Sequence, residues 1–129
     1  MKKEDDELYF GENILRYRED IIQDIKELVS IPSCAVLGND PEKPFGEEPA
    51  RALGWILHRA EELGLTAENV GNYAGHAEYG EGKEVAAVLT HVDVVPAGDG
   101  WASGPFAAVE QNGKLYGRGV ADDKGAAVV

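Results

Sequence analysis

The sequence predicts an α/β domain, a mostly parallel sheet flanked by helices. Two stretches, from Asn13 to about Ile31 and from Pro49 to Leu63, repeat apolar side chains at three- and four-residue steps, the spacing of helices. Val85-Ala86-Ala87-Val88-Leu89 is an uninterrupted apolar run, the pattern of a strand buried on both faces at the centre of a parallel sheet. With 129 residues and 43% hydrophobic content, the chain has material for one ordinary core.

In the first helix Ile14, Tyr17, Ile21, Ile22, Ile25, Leu28 and Val29 share a face, and the helix should end before Pro32, whose ring disfavours helix at the preceding residue. Val36 to Glu48 is a loop punctuated by Gly38, Pro41, Pro44 and Gly46. Pro49 suits a first helical turn. Ala50, Leu53, Ile56, Leu57, Ala60 and Leu63 then form the face of a second helix stopped at Gly64. Thr66 to Val70 and His76 to Tyr79 are expected strands joined through Gly71–Gly75, and the central strand follows. A long loop, Val94 to Phe106, carries Pro96, Gly98, Gly100, Gly104 and Pro105; loops of that length are more often functional than idle. Ala107–Glu110 and Lys114–Tyr116 make a hairpin around Asn112-Gly113. Ala126–Val129 open a helix with neither a C-cap nor further turns, so the chain is expected to be truncated.

A formal net charge of −12, from 24 acidic and 12 basic residues, argues against nucleic acid or anionic membranes as partners. Cys34 is alone, which suits a reducing, cytoplasmic setting. The charged start, Met1–Glu7, has no apolar core behind it, so it reads as a frayed end and not as a signal peptide. No stretch approaches the roughly 20 apolar residues of a membrane span.

The chemistry gathers at two places. The apolar run ends in His91-Val92-Asp93, and alternation along a strand puts His91 and Asp93 on one side and Val92 on the other. Ligands in open α/β sheets sit beyond the carboxyl ends of strands, so the pair is placed to hold a metal. Asp93 could bind the ion itself or accept the other imidazole N–H; alternatively, His91 caps a strand and Asp93 starts a turn. The second place is Gly117–Gly125. Its glycines lack the spacing of a phosphate loop. Asp122 or Asp123 could cap the coming helix, or bring a carboxylate to the His91 side. His and Asp donors together suit zinc, or manganese or cobalt.

His91-Val92-Asp93-Val94-Val95-Pro96, Gly100-Trp101, Pro105-Phe106 and Tyr116-Gly117-Arg118-Gly119 with Asp122-Asp123-Lys124-Gly125 resemble the dinuclear-zinc aminoacylase and dipeptidase group. Within it, Asn72-Tyr73-Ala74-Gly75, Tyr79-Gly80 and Leu28–Ser33 are most similar to the PepV-like dipeptidases. The resemblance runs from about Leu28 to the last residue, and it implies that residues 1–129 are the amino-terminal portion of a metallopeptidase catalytic domain. It implies that His91 ligates one ion, that Asp93 orients its imidazole as a catalytic residue, and that Asp122 bridges two zinc ions, with a cis peptide to Asp123. It also implies a dipeptide substrate, with an amide of another kind, such as an N-acyl amino acid, as the alternative. A third possibility is a non-catalytic fragment. The group's glutamate pair, late histidine and lid domain have no counterpart in these 129 residues, and Glu110 matches none of them. The chain alone is therefore expected to be inactive.

Other candidates have plainer explanations. His58 and His76 read as surface residues, Cys34 as a small buried thiol without a His–carboxylate pair, and Trp101 and Phe106 as anchors of the long loop. Arg118 is expected to pair with a neighbouring carboxylate.

Overall fold

The computed structural model describes residues 12–129; the charged start, with what the sequence suggests of it, lies outside them. A 3-10 turn, Asn13–Tyr17, leads into helix α1, Arg18–Val29. Glu19 and Asp20 in its first turn and Lys26 in its last match the helix dipole. Only the end of the predicted apolar face is used: Ile25, Leu28 and Val29 are buried, whereas Ile14 and Tyr17 stay exposed. The helix closes at Ser30, ahead of Pro32, with the Ser30 N–H on Lys26 O at 3.0 Å.

Helix α2 spans Glu47–Glu62, with Pro49 buried in its first turn and Gly64 beyond its end at φ +90°. Its most buried residue is Ala52, which joins Leu28 and Ile31 in the core, and Trp55 and Ile56 pack against them. The predicted stripe is therefore rotated. Leu53 and Leu57 face a hairpin instead, and Leu63 is exposed. Arg59 Nε donates to Asp24 Oδ2 at 2.8 Å and ties the two helices.

Strands β1 (Thr66–Val70) and β2 (Ala74–Glu78) form an antiparallel hairpin. Gly71 and Asn72 both take positive φ, the primed turn whose twist suits a hairpin. Gly75 lies so close to α2 that a Cβ there would sit 2.7 Å from Leu57 Cδ1. A second hairpin, β3 (Val109–Gln111) and β4 (Lys114–Tyr116), turns at Asn112-Gly113 as predicted, with φ +53° and +71°. The chain ends in a wide turn, Val120–Lys124, and a short helix α3, Gly125–Val128.

The α/β class holds, but the central strand does not form. Among the described residues the two sheets are antiparallel pairs, and parallel pairing is reduced to one bridge between Cys34 and Val94. Residues 83–93 adopt no regular structure, and Val85, Val88 and Leu89 are 88%, 90% and 98% exposed. The physical reason is the lack of neighbours: a strand is stabilised by ladder partners and by cross-strand side chains, and no described segment lies alongside this run. The side-chain alternation nevertheless survives at its end. Val92 packs against the core while His91 and Asp93 face outward.

Candidate metal centre

Three short segments meet where α1 ends. Ser33 Oγ donates to Val92 O at 2.6 Å, and the Val94 N–H donates to Ser33 O at 3.0 Å, so the His91 segment is laid along residues 33–34. On the other side the wide turn is closed by the Lys124 N–H on Gly119 O at 2.9 Å. Gly119 has φ +89°, and a Cβ there would meet Val94 Cγ1 at 2.7 Å; glycine permits both the conformation and the close approach. The Asp122–Asp123 peptide bond is cis, as the resemblance implies.

These attachments bring His91 and Asp122 together across 31 residues, with His91 Nε2 3.1 Å from Asp122 Oδ1. The other ring nitrogen, Nδ1, lies 3.2 Å from Asp93 O and 3.3 Å from its carboxylate Oδ1. A carbonyl oxygen only accepts, so Nδ1 carries the proton of that bond. Asp93 thereby fixes the tautomer and leaves Nε2 as the atom directed at Asp122. Asp123 accepts the His91 backbone N–H on Oδ2 at 3.3 Å. Burial pulls the imidazole pKa down, but the Asp93 carbonyl and the Asp122 carboxylate outweigh it and hold the pKa above 6.5. The Asp122 side chain is 88% exposed, so the pair opens onto solvent.

The donor atoms can be compared in spacing with a shell for the ions that the resemblance implies. Bonds of about 2.0–2.2 Å to nitrogen and oxygen put two tetrahedral donors roughly 3.4 Å apart. His91 Nε2 and Asp122 Oδ1 need to part only slightly to share a cation, and they fit as one edge of a coordination shell. Among the described residues, no group of three or more His, Cys, Asp or Glu side chains is arranged to hold a metal ion. An edge is what this segment supplies.

The remaining candidates fall elsewhere. His58 sits between Glu61 and Glu62, and His76 between Glu68 and Glu78, all on the surface. Cys34 is half-buried and free. Trp101 anchors the long loop through its indole N–H on Ala97 O at 2.9 Å. Arg118 departs from expectation: it lies over the Trp101 ring at 5.4 Å and donates to Ala97 O, with no carboxylate partner among the described residues. Glu110 instead pairs with Arg18 at 2.7 Å. The motifs do not single out Ser33 or Lys124 as functional. The one hint was a lysine set directly before Gly125-Ala126-Ala127-Val128-Val129, where a helix enters the core.

An α/β segment with a paired imidazole and carboxylate at its rim fits a metallopeptidase, and the comparisons give that class a family. Residues 87–129 match the profile of Peptidase family M20/M25/M40. Over 113 residues the chain is 46% identical to "Putative dipeptidase YtjP" of Bacillus subtilis (strain 168), covering 87% of this chain and 24% of that protein. It is 40% identical over 121 residues to the Beta-Ala-Xaa dipeptidase of Lactobacillus delbrueckii subsp. lactis, covering 92% and 26%. The crystal structure of human carnosine dipeptidase 1 superposes with a TM-score of 0.71 at 30% identity, over 90% of this chain and 27% of that one. The resemblance carried by the motifs is thus borne out for the dipeptidases of this peptidase family. The chain spans about a quarter of the length of these relatives.

Proposed function

We propose that this chain is the amino-terminal part of the catalytic domain of a metal-dependent dipeptidase, and that His91 and Asp122 are its metal ligands. The observation that supports this most is the 3.1 Å approach of His91 Nε2 to Asp122 Oδ1, with Nδ1 held on Asp93. Two zinc ions are the proposed cofactor, with manganese or cobalt also suited to the donors. When bound, such ions lower the pKa of a water and polarise the carbonyl of the scissile bond.

The chain's own residues have distinct tasks in this proposal. His91 offers Nε2 as a neutral donor. Asp93 keeps the proton on Nδ1 and so holds the ring in the orientation that presents Nε2. Asp122 offers its carboxylate, which with two oxygens is suited to bridge. Asp123 steadies the His91 backbone. None of them is placed as a general base for the attacking water, so hydrolysis requires further residues, and the 129-residue chain alone is inactive. The substrate class is a dipeptide, and the setting is cytoplasmic, read from the lone Cys34.

Two measurements test this. Titration of the complete gene product, stripped of metal, with cobalt(II) should give a visible absorption band that is weakened in His91→Ala and Asp122→Ala. The complete gene product should hydrolyse dipeptides; hydrolysis only of N-acyl amino acids would replace the dipeptide with the alternative amide. Chelator-sensitive hydrolysis by the 129-residue chain itself would overturn its assignment as inactive.

A further inference from the structure

Both partners of the His91–Asp122 pair are fastened to one short piece of backbone. Ser33 Oγ and Ser33 O hold Val92 and Val94, on either side of Asp93. Lys124, two residues after Asp122, is fully buried, and its Nζ donates to Leu28 O at 2.9 Å and to Ile31 O at 2.7 Å. A lysine buried to 0% exposure is rare unless it is paired, and here its partners are carbonyls at the end of α1, where the helix dipole favours a cation. Its stem runs beside Gly119, where a Cβ would lie 3.2 Å from Lys124 Cδ, so the side chain has little room to take another course.

We infer that the turn closing α1, residues 28–33, is the ruler that sets the spacing of His91 and Asp122, with Ser33 and Lys124 as its positioning residues; this rests on the metal-site proposal above. The alternative is that Lys124 merely holds the fold together, and the hydrogen bonding argues against it. Leu28 O also accepts the Ile31 N–H at 3.3 Å, and Ile31 O accepts the Ser33 N–H at 2.8 Å. Neither carbonyl is orphaned when the ammonium is removed. What is lost is the tether on the Asp122 turn.

The test uses Lys124→Met, which keeps the apolar stem, and Ser33→Ala, which removes the side-chain bond to Val92 O on the other arm and leaves the backbone bond to Val94. In the metal-free chain the ring nitrogens of His91 should give distinct 15N signals. Lys124→Met should shift the Nε2 signal from its position in the unmutated chain while the far-UV circular dichroism stays unchanged, and in the complete gene product should weaken cobalt(II) binding at least tenfold. Ser33→Ala should weaken it by a smaller factor. Restoring an ammonium by aminoethylation of Lys124→Cys in a Cys34→Ser background should return affinity to within about twofold of Cys34→Ser alone. Unchanged 15N signals and affinity in both variants, or no rescue, would overturn the ruler and leave the metal site standing. If Lys124→Met does not fold, Ser33→Ala decides the matter by the same signals. No cobalt(II) binding by the complete gene product, or binding that His91→Ala and Asp122→Ala leave unchanged, would overturn the metal site and the ruler together.

Discussion

The two arms of the site are held in opposite ways. The arm that ends in His91 runs through Val85, Val88 and Leu89, all about nine-tenths exposed, and among the described residues is held at His91 by Asp123 and just beyond it by Ser33. The arm that bears Asp122 is fixed from within. Gly117 lies where a Cβ would meet Val29 at 3.1 Å, Gly119 presses on Val94, and Lys124 is buried to its tip. The contrast shows that apolar content does not decide burial. The first arm is far more apolar than the second, yet it is the one left in solvent, because burial requires an opposing surface.

The largest effect should come from the residue that serves both arms. Leu28 is fully buried, and Val92 of one arm and Val128 beyond the other pack against its cluster. Leu28→Ala should lower unfolding stability by roughly 2–5 kcal/mol, read from urea denaturation, and should loosen both arms together. A change below about 1 kcal/mol would mean that the arms do not share a core. Gly119→Ala comes next and acts on the Asp122 arm. A side chain at φ +89° costs about 1–2 kcal/mol, and displacing Val94 adds to it, for an expected loss of about 2–3 kcal/mol. Proteolysis of Gly119→Ala should cut first between residues 117 and 128.

A pH dependence follows from Lys124. Burial lowers its pKa from 10.5 to about 8. Below pH 8 the amine is charged in both the folded and unfolded chain, so stability does not change on its account. Between pH 8 and 10.5 the unfolded chain binds the proton and the folded chain does not, so stability rises with pH, by at most on the order of 3 kcal/mol. The Lys124→Met variant should lack this rise. An equal rise in both proteins would assign it to other groups.

Legibility in the sequence followed how local the cause was. The Asn112-Gly113 turn was readable because positive φ at two adjacent positions is a property of those residues, and β1 runs over Thr66–Val70 as expected. The end of α1 was readable from Pro32 for the same reason. The sequence also pointed to His91, Asp93 and Asp122 through their motifs, and His91 and Asp122 do approach each other. What it could not show was the means of approach. Ser33 lies 59 residues from Val92, and Lys124 lies 93 and 96 residues from its two carbonyls. Hydrogen bonds to backbone oxygen leave no complementary side chain to find. The central strand failed for the related reason that a strand depends on partners outside itself.

The smallest expected effect is the sharpest test of the comparison. Leu89 is the most apolar side chain of the His91 arm and is 98% exposed, whereas Leu28 is 0% exposed. Identical chemistry at the two positions should therefore give different results. Leu89→Ala removes no buried surface and creates no cavity, so its stability should lie within about 0.5 kcal/mol of the unmutated chain. In the complete gene product it should also leave cobalt(II) affinity unchanged, because the ties that locate His91 begin at His91 itself. A loss near that of Leu28→Ala would mean that residues 85–89 are covered in solution, by self-association or by folding back. Dependence of the loss on protein concentration would separate those two, since association responds to dilution and an intramolecular contact does not.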